Sequence, residues 1–309
     1  MTLTISKPCC AKAPVYSLGN GKLCKAHFID YFEGKVLKTI RQFELLGKEE
    51  NIGIALSGGK DSLTVLKILS KISEENPKIK LNAILIDEGI AGYRDKTIVT
   101  AQRFCDLHKI KLHIFSYKEE LGLTLDEMLK KLDVKPCTIC GIFRRYLLNK
   151  KSKELEFTKL ATGHNLDDES QSIMMNQMKN NMPSSARLGP KSGMLEDESF
   201  IPRIKPLYLC SEKEVTAYAF INNLLDNFTE CPNVPVSYRA QIRDMLNDME
   251  NKFPGTKHGI VNSFLEILPE LRKKYSDSEK LMHCMKCKEP SAKEVCNACV
   301  YVEKLRAEL

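Results

Sequence analysis

The segment Ile54-Ala55-Leu56-Ser57-Gly58-Gly59-Lys60-Asp61-Ser62 constrains the fold more than any other part of this chain. An apolar run stops at a pair of glycines, and a helical pattern starts at once and runs over 61–73. A strand that turns tightly into a helix leaves unpaired backbone amides and the positive end of the helix dipole at the turn, where both can cradle phosphate. Ala55, Ser57, Gly58, Gly59, Lys60, Asp61 and Ser62 are therefore candidate nucleotide contacts. The segment lacks the GxxxxGK[ST] spacing that presents a lysine to the β- and γ-phosphates. That disfavours terminal phosphoryl transfer, the reaction of kinases and GTPases.

Apolar and amphipathic stretches alternate on both sides of this turn. An amphipathic helix is expected from Lys35, strands over 81–87 and 111–115, and a helix over 95–108 between those strands. Helices over 125–132 and 141–155 lead to a strand in KLATGH and a helix over 166–178. Alternating β and α predicts an α/β fold with a doubly wound, Rossmann-like parallel sheet. Residues 180–200, rich in Asn, Pro, Ser and Gly, read as a loop offering Arg187 and Lys191 to phosphate, and helices resume at Glu212, over 238–252 and over 258–274. Open α/β sheets bind ligands at the carboxyl ends of their strands. Asp87 and Gly163 lie there, as do Asp167 and Asp168, whose carboxylates suit Mg2+ or an acceptor base but also suit plain helix capping.

Twelve cysteines, most of them in close pairs, read as metal ligands in a reducing, cytoplasmic compartment rather than as disulfides. The N-terminus has no secretory pattern, and no apolar run approaches the roughly 20 residues of a membrane helix. Cys284, Cys287, Cys296 and Cys299 have the spacing of a tetrahedral zinc ribbon. Cys24 and His27, with the adjacent Cys9 and Cys10, offer a second zinc set, although adjacent cysteines reach one ion only through a constrained backbone. These modules bound three expected segments: 1–33, a catalytic domain over 34–280, and 281–309. Cys137 and Cys140, followed by Arg144 and Arg145, form a further set with the distant Cys231. On spacing alone an iron-sulfur cluster, a structural zinc, and a disulfide or persulfide relay stay open for it. Cys105 and Cys210, solitary among apolar neighbours, are expected in the core.

SGGKDS resembles the PP-loop of the ATP pyrophosphatases. Together with DEGIAGYR from Asp87, PCTICGIFRR from Pro136, ATGHNLDDE from Ala161, PRIKPL from Pro202 and CPNVPVSYRAQIR from Cys231, it resembles the TtcA/TtuA family of PP-loop tRNA 2-thiolation enzymes over nearly the whole chain. The flanking zinc motifs look like the archaeal and eukaryotic wobble-uridine thiolase (NcsA-like) subgroup; Cys9-Cys10 departs from its usual CxxC. The resemblance implies a 4Fe-4S cluster on Cys137, Cys140 and Cys231, ATP at the loop and Asp87, a basic catalytic residue at Arg144 and a catalytic acid at Asp167 or Asp168. It implies adenylation of a uridine C2 oxygen and its replacement by sulfur, in a homodimer acting on tRNA. The sulfur donor, whether sulfide, a persulfide or a thiocarboxylated ubiquitin-like protein, stays open. A net charge of +7 is compatible with a polyanionic partner without deciding one. The chain's many Asn, Met and Cys favour the wobble uridine over the T-loop uridine of heat-resistant tRNA. An amide-forming PP-loop ligase shares the adenylation chemistry but gives the three cysteines no purpose.

Overall fold

A computed structural model describes residues 10, 12–18, 21–192, 200–224, 231–233, 237–275 and 282–307. Strands β1 (Pro14–Leu18) and β2 (Gly21–Cys24) form an antiparallel hairpin that feeds directly into helix α1 (Lys25–Gln42). The helix starts at Lys25 rather than at the expected Lys35, and it runs unbroken through the 33/34 boundary read from the sequence. Its buried stripe of Phe28, Phe32, Val36 and Ile40 has the four-residue spacing of one helix face. The cysteine and histidine just before Phe28 hid that stripe, because they belong to no apolar period.

Strand β3 (Glu50–Leu56), helix α2 (Lys60–Glu75), strand β4 (Ile79–Asp87), helix α3 (Arg94–Leu107) and strand β5 (Lys111–Ser116) follow as parallel units. Short helices α4 (Tyr117–Leu121) and α5 (Leu125–Lys131) then lead to the long α6 (Pro136–Glu154). Next come β6 (Lys159–Ala161), α7 (Leu166–Met178), α8 (Met182–Ala186), β7 (Lys191–Ser192) and β8 (Arg203–Ile204). The sheet order is β5-β4-β3-β6-β8-β7, and every neighbouring pair is parallel except the edge pair β7–β8. The expected α/β class with a mainly parallel sheet is thus observed. Part of the expected loop at 180–200 is ordered instead. Asn181 caps α8, and the Arg272 guanidinium holds the carbonyls of Leu188 and Lys191 at 3.0 and 3.1 Å; residues 193–199 of that expectation lie outside the described residues.

Both faces of the sheet are covered. Ala83 and Leu85 join the core under α1, α2, α3 and α9 (Glu212–Ile221), whereas Ile84 and Ile86 join the one under α5, α6 and the last helix, α12 (Asn297–Ala307). A strand buried on both sides reads as a continuous apolar run, which is why AILI carries no alternation. Cys105 and Cys210 are fully buried, as expected. Helices α10 (Tyr238–Lys252) and α11 (Thr256–Tyr275) pack on α7, and the two-residue strands β9 (Met282–His283) and β10 (Pro290–Ser291) make the hairpin of the C-terminal module. No described helix is long and apolar enough to cross a membrane.

The chain leaves β3 to build β4 and β5 on one side and returns through β6 to build β8 on the other. The sheet therefore changes winding direction between β3 and β6, and such a switch point opens a crevice at the carboxyl ends of the strands. The Ser57–Lys60 turn follows β3 there, and Gly163 to Asp168 follow β6.

Candidate active site

Gly58 adopts φ +79°, and a Cβ placed on it would sit 2.4 Å from the Thr97 carbonyl oxygen, so the turn presses directly on the first turns of α3. Gly59 is the N-cap of α2 and has no side chain to cover the helix's first amides. The loop ties itself together: the Ser62 hydroxyl donates to the Gly59 carbonyl at 2.9 Å, and the Ser57 amide donates to the Ser62 oxygen at 3.2 Å. Gly163 packs against the same turn, since a Cβ there would lie 2.8 Å from the Ser62 amide nitrogen. The Lys60 ammonium is held by Asp61 at 3.0 Å and by Glu212, at the start of α9, at 3.1 Å. These carboxylates keep it charged against the penalty of burial, which opposes them. The result is an amide-lined cradle, with the Lys60 ammonium at the start of α2, suited to phosphate.

Of the two adjacent acids after β6, only Asp168 faces this crevice. Asn165 caps α7 through the Asp167 and Asp168 amides, and its side-chain amide donates to Asp61 at 3.1 Å, which locks the two strand ends together. Asp168 returns to the Asn165 amide at 3.2 Å, completing a capping box, and meets Arg239 at 3.4 Å. The sequence-level readings of Asp168 as cap and as site acid are therefore compatible. Asp167 points the other way: it is buried, paired with Lys257 of α11, and accepts the Glu212 amide at 2.8 Å. The structure thus places Asp167 in a support joining α7, α9 and α11, away from the nucleotide turn. Replacing Lys257 by Met should strand that buried carboxylate and cost about 3–5 kcal/mol in thermal or denaturant unfolding. Asp168→Asn should cost far less stability but depress turnover.

Desolvation in the crevice raises the Asp168 carboxyl to about 6, with Arg239 opposing and Asp61 adding to the rise. Turnover that needs the carboxylate should therefore increase as pH rises through about 6, and Asp168→Asn should flatten that limb of the profile. The shift has the opposite sign for folding. A carboxyl raised above its unfolded value binds its proton earlier in the folded state, so its contribution to stability improves as pH falls through 6. Loss of activity below pH 6 with the fold intact is the signature to look for.

A second ensemble lines the same crevice. Pro136 at the first position of α6 starts that helix ahead of the expected Gly141, which puts Cys137 and Cys140 in its first turns. The Cys137 thiol reaches the Asn233 carbonyl at 3.7 Å, so the short segment 231–233 comes back to α6, and Cys140 and Cys231 pack on the same apolar cluster. The buried Tyr117 hydroxyl donates to the Cys140 carbonyl at 2.9 Å. Burial pushes the Cys140 thiol up while the Arg144 guanidinium beside it pulls the other way. No disulfide joins the described cysteines, and the three sulfurs do not crowd within 4.8 Å of one another as the C-terminal four do. Thiolates sharing one zinc at about 2.3 Å each would have to crowd in that way, whereas thiolates on separate irons of a cluster need not. Three thiols spaced in this way, with an arginine beside Cys140, fit an anionic iron-sulfur cluster better than a single tetrahedral ion.

A PP-loop domain model matches residues 31–249. The chain is 34% identical to the tRNA 2-thiolation protein NcsA of Haloferax volcanii, over 92% of this chain and 94% of that protein. It is 36% identical to the tRNA-5-methyluridine(54) 2-sulfurtransferase of Pyrococcus horikoshii, over 90% and 87% respectively. Its structure superposes with a TM-score of 0.83 and 34% identity on the U34-tRNA thiolase NcsA of Methanococcus maripaludis with its [4Fe-4S] cluster, covering 98% of this chain and 97% of that one. The chain belongs to the PP-loop tRNA 2-thiolation family.

Around this PP-loop the structure adds residues that sequence reasoning passed over. Glu88, 1% exposed, follows the expected Asp87, whose own carboxylate accepts the Gly89 amide at 2.8 Å. Glu88 takes the Nε of Arg94 at 2.6 Å, and Arg94 in turn donates to the PP-loop carbonyl of Ser57 at 3.0 Å. On its other oxygen Glu88 meets Arg144 at 3.5 Å. Nothing in DEGIAGYR separates Glu88, set between Asp87 and Gly89, from a solvated acid. Arg203 of β8 donates to the Arg145 carbonyl at 3.4 Å, and burial together with Arg145 and Arg144 pushes it down to about 10. His164 is held neutral by burial and by Lys205, Arg239, Arg203 and Arg144 around it. The mouth of the crevice is thus crowded with positive charge.

The metal modules differ in how completely they are described. The Cys284, Cys287, Cys296 and Cys299 sulfurs lie within 4.8 Å of one another, and the Cys296 amide donates to Cys284 at 3.3 Å. That donor set fits one tetrahedral zinc. The ribbon is fastened to α6 by Glu289, which accepts from Asn149 at 2.8 Å and Lys153 at 2.6 Å. In the N-terminal module Cys10, Cys24 and His27 converge in the same way, whereas Cys9 lies outside the described residues. The hairpin is held on α1 by Tyr16 against Phe28, with ring centroids 4.5 Å apart.

Proposed function

We propose that this protein uses ATP to convert a tRNA uridine to 2-thiouridine, at the anticodon wobble position. The observation that carries the reading is the meeting of two chemistries in one crevice: a PP-loop cradle for the nucleotide, and the Cys137, Cys140 and Cys231 thiols with Arg144 beside Cys140. A uracil C2 oxygen is a poor leaving group. Its attack on the α-phosphorus forms a new O–P bond as the bond to pyrophosphate breaks, and a sulfur nucleophile then adds at C2 and expels AMP.

In this reading the α2 amides and Lys60 hold the phosphates, and Asp168 with Asp61 would hold Mg2+ on the departing pyrophosphate. Arg144 orients the base and neutralises charge that develops near C2. A cluster on three cysteines leaves one iron without a protein ligand, and that position would supply the sulfur. Arg203, Arg145 and Arg239 suit the phosphates of a flipped-out nucleotide, whose base must leave its stack to enter the crevice. Likeness to the U34 thiolase over 98% of this chain supports the wobble position, and the P. horikoshii relative keeps the T-loop uridine as the second reading. An amide-forming ligase would leave the three thiols and their arginine idle.

The test is anaerobic purification, quantification of iron and sulfide, and reaction with ATP, sulfide and unmodified tRNA, followed by mapping of 2-thiouridine. Product at the wobble uridine of an iron-containing protein is the expected result. Product at the T-loop would replace the position alone. Thiolation by a protein holding only zinc would replace the cluster with a persulfide relay, and ATP turnover without thiolation would favour the ligase.

A further inference from the structure

Glu88, Arg94 and Arg144 join the two halves of the crevice, and their geometry is asymmetric. Arg94 is 4% exposed and fixed: it grips Glu88 through Nε and Nη2, and its Nη1 donates to the Ser57 carbonyl at 3.0 Å and to the Thr97 hydroxyl at 3.2 Å. Thr97 is also the residue on which Gly58 rests. The same few atoms therefore back the PP-loop and anchor one side of Glu88. On the other side Arg144 stands at 3.5 Å with a side chain 48% exposed, so this arm is the loose one. Arg144 thus stands between the Glu88 carboxylate on one side and Cys140 on the other.

We propose that Glu88 is a positioning residue that ties the place of the Arg144 guanidinium to the state of the nucleotide loop. The inference rests on the thiolation reading above and deepens it. One carboxylate set against two guanidiniums leaves a net positive charge, so Glu88 restrains Arg144 without neutralising it. Arg144 keeps an unsatisfied pull toward any anion that forms near Cys140. Because Arg94 is held by a PP-loop carbonyl, a nucleotide that shifts Ser57 moves the anchored oxygen of Glu88, and the loose oxygen moves with it. Arg144 is thus presented to the base when the loop is filled. A buried ion pair serving stability alone would not need its second guanidinium exposed at the mouth of the crevice.

A double-mutant cycle between Glu88→Gln and Arg144→Ala tests this, read under single-turnover conditions as 2-thiouridine formed and, separately, as pyrophosphate released. Glu88→Gln alone should lower the rate constant by roughly tenfold or more, with the ATP concentration for half-maximal rate nearly unchanged; in the Arg144→Ala background the same change should matter less than about twofold. Equal effects in both backgrounds would show that Glu88 does not act through Arg144, and would overturn the proposal. Should the glutamine variant not fold, Glu88→Asp keeps the charge one methylene short of Arg144 and enters the same cycle. If wild-type protein releases pyrophosphate but makes no 2-thiouridine, the thiolation reading has failed, and the coupling is decided on pyrophosphate alone.

Discussion

Alanine at Cys137 is expected to remove bound iron and to cut 2-thiouridine formation by at least about a hundredfold, the scale at which even outer-shell changes weaken a metal site. Compared as iron-free proteins, variant and wild type should melt at nearly the same temperature, because what the cluster adds to stability is lost from both. Cys137 is exposed at the start of α6, touches only the 231–233 segment among the contacts of its thiol that are described, and packs into no core cluster. Its loss creates no cavity. Cys105 provides the opposite case: it is fully buried on α3 amid the larger core, so Cys105→Ala should cost on the order of 1 kcal/mol in stability while keeping iron and activity. Iron content by metal analysis, paired with a thermal melt, separates the two. If Cys137→Ala retained full iron, Cys137 would not be a cluster ligand. If Cys105→Ala lost iron while folded, the ligand assignment would need to move to the core of α3.

Gly58→Ala should weaken nucleotide binding and slow the ATP-dependent reaction by on the order of a hundredfold, by a route that Gly59→Ala does not share. At Gly58 the backbone has φ +79°, a region costing a non-glycine residue about 1–3 kcal/mol. The added methyl would also sit 2.4 Å from the Thr97 carbonyl oxygen, a backbone atom within α3 that cannot swing aside. The turn must therefore move, and a displacement near 1 Å at a phosphate cradle is worth on the order of a hundredfold in rate. At Gly59 the backbone is extended with φ −89°, and a Cβ would come no closer than 3.4 Å to the Ser57 hydroxyl. The fold should accept alanine there with little change in melting temperature. Equilibrium dialysis with labelled ATP and a denaturant melt on both variants check the pair. Equal stability for the two would mean that the Gly58 turn relaxes more easily than its packing on Thr97 implies.

The sheet and the PP-loop were legible in the sequence because both are written in neighbouring residues. SGGKDS closes a strand and opens a helix within one short stretch, and the apolar runs around Ile54 and Leu85 announce strands buried on both faces. The C-terminal ribbon was legible for the same reason, since four sulfurs within sixteen residues, 284–299, can meet only around one centre. The start of α1 was less so, because its apolar stripe of Phe28 and Phe32 overlaps a metal-binding pair, Cys24 and His27.

Chain order could not tell Asp167 from Asp168. Both open α7, and only the packing of α9 and α11 against that helix decides that Asp167 turns to Lys257 while Asp168 turns to the crevice. Nor could it reveal that Glu88 links Arg94 to Arg144, which lie on different helices and meet only because β4 ends beside the first turns of α6. Residue types and local spacing are enough to specify a phosphate-binding turn, a metal ribbon and the class of sheet, because each depends on contacts a few residues apart. Which charge is buried, which is presented, and which arginine answers to the nucleotide loop depend on contacts between distant segments, and those exist only once the sheet has set its strands side by side.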